Sequence, residues 1–171
     1  MTKIYAVAYL ASAAALVGLD ALWIFWIARR FYASALGPLL RERPNLGAAL
    51  IFYVVYLVGI VVFAVMPALG NGVAKATLLG ALYGLCAYAT YDLTNLATLR
   101  CFPARLAILD LAWGICVTAA SATAGFHAAQ WVAGRGAAMT GGPGPSSVAR
   151  GASAPSSSPA LLNLWTMRYG E

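Results

Sequence analysis

Polar residues are scarce along this chain, and their spacing leaves four long apolar runs. These are Ile4 to Ala28, Ala48 to Leu69, Ala76 to Leu99 and Leu106 to Val132. Each run has at least the roughly 20 residues needed to cross about 30 Å of hydrocarbon at about 1.5 Å per residue. Isolated strands would leave backbone groups unpaired in lipid, so each run is predicted to be a helix. The fold class expected is an all-α membrane protein, a four-transmembrane-helix bundle over residues 1–133. After Val132 the pattern stops. Gly141-Gly142-Pro143-Gly144-Pro145 and Ala154-Pro155-Ser156-Ser157-Ser158-Pro159 bury too little to order themselves, so residues 134–171 are expected to form a disordered tail. Leu161 to Trp165 is too short to span and is at most a surface contact.

The first run has some marks of a leader, with Lys3 before it and Ala11-Ser12-Ala13 as a cleavage-like triplet. It continues through Ile24-Phe25-Trp26-Ile27, well past a signal core, and is expected to stay as a span.

Composition agrees with the pattern. Of 171 residues, 62% are hydrophobic and 9% charged, against about 25% charged in a soluble domain. The net charge of +6 flanks the apolar runs and forms no basic stripe, so nucleic acid is not an expected partner. Arg29, Arg30, Arg41 and Arg43 lie in the 29–47 loop, and Arg100 and Arg105 in the 100–105 loop. Lys3, Lys75 and Arg135 lie on the opposite side. The bias places both arginine-rich loops in the cytoplasm and both termini outside, in a bacterial inner membrane.

Three of the five acidic residues, Asp20, Asp92 and Asp110, interrupt the apolar runs. A carboxylate at bilayer depth costs roughly 2.5–3.5 kcal/mol on insertion scales and marks a functional position by default. Counted from Arg29, Arg100 and Arg105, all three lie roughly 7–14 Å below one membrane surface. Helical angle gathers them further. Span one places Tyr5, Tyr9, Leu16, Asp20, Trp23 and Ile27 on one face. Span three places Gly80, Gly84, Tyr88, Tyr91, Asn95 and Thr98 on one stripe, with Asp92 at its edge. Span four aligns Asp110, Gly114, Thr118, Ser121 and Gly125. Span two brings Tyr53 and Tyr56 to a similar depth. The candidate ligand-binding cluster is therefore Asp20, Trp23, Tyr53, Tyr56, Tyr88, Tyr91, Asp92, Asn95, Asp110 and Trp113. Asp20-Ala-Leu-Trp23 and Asp110-Leu-Ala-Trp113 rhyme on antiparallel spans, as an inverted repeat would.

Carboxylates this close in low dielectric do not all stay ionised; at least one is expected neutral, or a cation sits among them. The competing reading is a bundle-locking network, with Arg29, Arg100 or Arg105 folding inward as partners.

Other chemistry is thin. Cys86, Cys101 and Cys116 form no metal-type pair; Cys86 and Cys116 fall in apolar runs as small fillers, and no disulfide is expected. His127 lies roughly 25 Å along its helix from Asp110. No zinc set, phosphate loop or Ser-His-Asp arrangement assembles, and Arg29-Arg30 follows its apolar run, unlike an export signal. No metal and no cofactor are expected.

Several fragments carry a family resemblance: Leu19-Asp20-Ala-Leu-Trp23, Phe31-Tyr32, Arg43-Pro44-Asn45, the stretch from Tyr88 to Thr98, and Asp110-Leu-Ala-Trp-Gly114. Over roughly Lys3 to Phe126 the chain resembles a bacterial family of predicted inner-membrane proteins, catalogued as domain of unknown function 2177. The resemblance implies a small multi-pass membrane protein and no established activity. The Pro/Ser-rich tail departs from it.

Three functions remain open. The cluster binds or translocates a proton, a cation or a small polar ligand. Alternatively it is a membrane-embedded enzyme on a lipid-like substrate, with paired aspartates as acid and base. Alternatively it is a structural or accessory subunit. Whether it is an enzyme is not decided. Partners beyond the bilayer are a small cationic or polar ligand or a lipid, and a homo-oligomer is left open.

Overall fold

The computed structural model describes residues 2–28, 32, 37 and 43–139. Four helices long and apolar enough to cross a membrane account for nearly all of them, and no strand occurs among the described residues. Helix α1 is Thr2–Trp23 and runs on as a wider π-helical turn, Ile24–Ala28. Helix α2 is Leu46–Gly59, α3 is Val73–Thr98 and α4 is Ala104–Met139. Residues 1–133 form one compact unit. Residues 134–139 are helical, past the boundary expected for the tail. The rest of the expected tail, and most of the 29–42 stretch, lie outside the described residues.

Local chemistry sets the helix ends. Asn45 precedes α2, and its side-chain oxygen accepts from the Ala48 N–H at 3.1 Å, occupying one of the free donors of a helix start. The α2–α3 turn passes through Gly70 and Gly72 at φ of 84° and 98°, a region that favours glycine. After Gly59 the second span widens into a π-helical stretch, Ile60–Val65, before Met66–Ala68. Pro67 gives the reason: it lacks an N–H, and its ring would crowd the carbonyl four residues back, Phe63. Widening the turn before it relieves the crowding, an adjustment that membrane helices tolerate.

The core runs the length of the bundle through Leu16, Tyr56, Ile60, Val65, Val117 and Phe126. Large apolar residues such as Phe25, Leu50, Phe63, Leu78 and Ile108 point outward, where lipid is the solvent. Small residues draw the helices together. A side chain on Gly84 would meet the backbone of Gly114 and the side chain of Thr118. One on Gly80 would meet Ala122 and the Thr118 carbonyl, and one on Gly125 would meet Ser12. Helices α3 and α4 therefore pack nearly backbone to backbone, and α1 sits on α4 at Gly125, the close approach that small-residue stripes permit in membranes.

Several threonine and serine hydroxyls within the spans return to their own helices. Thr90 donates to the Cys86 carbonyl at 2.7 Å and Ser121 to the Val117 carbonyl at 2.7 Å. Such back-bonding satisfies a donor where water is absent. All three cysteines are free and face outward, so Cys86 and Cys116 are not the core fillers that their apolar runs suggested. His127 is exposed on α4.

Candidate functional site

The three aspartates turn into the bundle. Asp92 is 0% exposed, Asp110 4% and Asp20 8%. They form two neighbouring groups.

The first group is built on Asp20. Tyr53, from α2, donates its hydroxyl to Asp20 Oδ2 at 3.0 Å, and Trp113, from α4, donates Nε1–H to Oδ1 at 3.0 Å. Both carboxylate oxygens are thus occupied by donors from two other helices. Trp23, one turn beyond Asp20, stacks on Trp113 with ring centroids 4.4 Å apart and planes 8° from parallel. The two Asp-x-x-Trp fragments therefore meet: the indole of one bonds the carboxylate of the other, and the indoles lie face to face. The rhyme is not symmetric, because Trp23 Nε1 is buried without a hydrogen-bond partner among the described residues.

The second group joins Asp110 and Asp92. The Tyr32 hydroxyl donates to Asp110 Oδ1 at 2.6 Å, while its ring packs with Phe102, Leu106 and Ala107. Tyr32 lies outside the spans. Burial, the bond to Asp110 and the negative charge of Asp110 and Asp92 push its phenol above the ordinary value of 10.0. Asp92 lies within electrostatic reach of Asp110, yet neither of its oxygens has a hydrogen-bond partner among the described residues.

Tyr88 bridges the two groups electrostatically, within reach of both Asp20 and Asp110. Its ring covers Gly114 and meets Tyr56 edge-on at 6.4 Å. Tyr56 bonds the Thr118 hydroxyl at 2.7 Å; because Thr118 donates to the Gly114 carbonyl at 2.6 Å, Tyr56 is the donor. A groove of about 390 Å³ lined by Phe52, Tyr56, Ala87, Tyr88 and Tyr91 opens beside this pair, between α2 and α3.

Most of the residues expected at the site thus come together, with three differences. On α3 the buried ladder is Ala76, Gly80, Gly84 and Asp92, so Asp92 sits on the inward face, not at its edge. Tyr91 is 62% exposed and lines only the outer groove, and Asn95 is half-buried with no side-chain bond to the cluster among the described residues. On α1 the buried ladder is Ala8, Ser12, Leu16 and Asp20, leaving Tyr5 45% exposed. The arginine-locked network is not formed by the described residues: Arg100 and Arg105 are exposed, and no described cation pairs with an aspartate, while Arg29 lies outside the described residues. Among the described residues no three acidic, histidine or cysteine side chains form a metal-holding group.

Sequence reasoning missed Tyr32 and did not give Thr118 a role. Tyr32 stands in the connection between the first two spans, outside the apolar runs whose helical register placed the other residues. Thr118 did fall on the inward stripe of span four, and that stripe was the available signal.

No curated protein and no solved structure matches the chain. One family model does, described as "Predicted membrane protein (DUF2177)", over residues 5–127. That range contains all three aspartates, both indoles and all four spans but the ends of the first and last, and it exceeds half of the chain, which therefore belongs to this membrane protein family.

Proposed function

We propose that the intramembrane cluster binds a proton or a small cation, and that its exchange or translocation is the protein's activity. The observation that carries this reading is Asp92. A wholly buried carboxyl without a hydrogen-bond partner is costly in low dielectric, whether ionised or neutral. Asp20 gives the contrast within the same bundle, a carboxylate with both oxygens already accepting hydrogen bonds. Asp92 lies within electrostatic reach of Asp110, and a proton or cation taken up beside them would relieve the repulsion between two buried acids. Tyr32, bonded to Asp110 from the connection between the first two spans, stands between this pair and the aqueous side. The setting we propose is a bacterial inner membrane, with loops 29–47 and 100–105 cytoplasmic and both termini outside.

The test is thermal unfolding of the full chain in detergent, between about pH 5 and pH 8 and across alkali cations, for the native protein and Asp92→Asn. Binding to the folded state alone raises its stability. The expected result is a pH- or cation-dependent midpoint in the native protein and a flat response in the variant. Identical responses from the two proteins would remove Asp92 from the reading.

The groove beside Tyr56 and Tyr88 favours a second reading, a membrane-embedded acid/base enzyme on a lipid-like substrate. It opens from the flank of the bundle where a hydrocarbon chain would enter, and Tyr88 lies within reach of two aspartates. Photo-crosslinking of the native protein to a diazirine-bearing lipid, mapped to Phe52 or Tyr91, would support it.

A further inference from the structure

The first span ends on a feature that the carboxylate pair does not use. Leu22, Trp23, Trp26 and Trp113 line a pocket of about 300 Å³. Trp26 is 83% exposed on the protein surface, so one wall stands open. Trp23 and Trp113 form the stacked pair, and Trp113 Nε1–H is tied to Asp20. An anion at the N–H edge of an indole pushes electron density into the ring and makes its face a better seat for positive charge. The carboxylate itself has no cationic partner among the described residues. Counted from Arg29, its first-span lining lies roughly 5–11 Å below the membrane surface, within reach of a soluble ligand or a lipid head group.

The lining also selects the type of cation. Among the described residues it is indole and leucine, with no carboxylate side chain. A primary ammonium would lose its water hydrogen bonds there without replacement, whereas a quaternary ammonium has none to lose. We propose that the pocket formed by Leu22, Trp23, Trp26 and Trp113 binds a quaternary ammonium group, with Asp20 behind Trp113 supplying the complementary charge. This deepens the cation-binding reading by naming a ligand class for the Asp20 half of the cluster, and rests on that reading. The group belongs either to a soluble organic cation or to a choline head group.

The test is isothermal titration calorimetry of the full chain in nanodiscs of phosphatidylglycerol, which lacks choline. Tetramethylammonium and choline are compared with 3,3-dimethylbutanol, the uncharged isostere of choline. The expected result is saturable binding of the cations, with the isostere at least about tenfold weaker. Trp26 makes no stacking contact or hydrogen bond among those described, so Trp26→Leu should fold normally and bind roughly 2- to 30-fold more weakly, with Trp26→Phe intermediate. Equal affinity for the neutral isostere, no saturable binding, or an unchanged Trp26→Leu would overturn the proposal. Binding lost in Asp92→Asn but intact in Trp26→Leu would also overturn it, while leaving the carboxylate pair as the cation site. Conversely, a pH response unchanged by Asp92→Asn, with ammonium binding still dependent on Trp26, would remove the Asp92 reading and keep the indole pocket. Phosphatidylcholine nanodiscs identify the source: loss of soluble-cation binding there assigns the pocket to the lipid head group, and retention assigns it to a free cation.

Discussion

The same residue type plays different parts at three positions in this bundle, and conservative substitutions separate them. Asp20 accepts from Tyr53 and Trp113, one donor on each oxygen. Asparagine keeps the shape but turns one acceptor into a donor, so one partner is left facing an N–H. Asp20→Asn should therefore destabilise the folded protein by about 1 kcal/mol, given the modest value of such bonds in membranes. Asp92→Asn breaks no hydrogen bond that the structure describes. It should leave the unfolding midpoint unchanged or higher, and a loss as large as that of Asp20→Asn would show that Asp92 has a structural partner. Tyr32 adds a titration. Its phenol is held above 10.0 by burial and by the bond to Asp110. A raised folded value means that its contribution to stability is complete below its unfolded value and is lost as pH climbs through the folded one. The difference spectrum between native and Tyr32→Phe protein should accordingly show a phenol ionising above 10.0, and one titrating at the ordinary value would place Tyr32 in solvent. The aspartates were legible in the sequence because a carboxylate in an apolar run stands out. Tyr32 was not, because a tyrosine between spans looks the same whether it caps a buried acid or faces water.

At the scale of the element, length and apolarity fixed the number of helices, whereas their facing surfaces depended on close packing that a helical wheel resolves poorly. The wheel put Tyr91 on the inward stripe of α3 and Asp92 at its edge; packing reverses them. The deciding contacts are backbone contacts. Gly80 and Gly84 lie against Thr118 and Gly114 on α4, and this pins the ladder Ala76, Gly80, Gly84 toward the core, which carries Asp92 inward two turns later. The small-residue pair was readable in the sequence, but not the few tens of degrees that set which neighbour of Tyr91 follows it in. The widened turn over Ile60–Val65 had one legible cue, Pro67. If these glycines aim Asp92, then Gly84→Leu must either separate α3 from α4 or rotate them. A destabilisation of about 1–3 kcal/mol or more is expected from overpacking against a backbone. Gly18 has open space where a side chain would go, so Gly18→Leu is the matched control and should not destabilise. Equal effects at the two positions would mean that the α3–α4 contact is looser than described.

At the scale of the whole molecule, the three carboxylates share a depth however the bundle is inserted, but what they meet depends on orientation. Arginine-rich loops on the cytoplasmic side would put Tyr32, Asp110 and the indole pocket toward the cytoplasm; the reverse would turn them outward. The chain carries its own reporter. Cys101 is exposed in the turn between α3 and α4, while Cys86 and Cys116 face outward roughly 18 Å from the nearer ends of their helices, at hydrocarbon depth. A membrane-impermeant maleimide needs water to find a thiolate, so in native protein only Cys101 should react. Inverted inner-membrane vesicles should label at this one residue, right-side-out vesicles should not, and Cys101→Ser should abolish the signal. Labelling confined to right-side-out vesicles would reverse the proposed topology and place the Asp92–Asp110 pair under the outer surface. Either result decides which compartment would supply the proposed proton or cation, because Tyr32 and the pair beneath it lie on the same side of the membrane as Cys101.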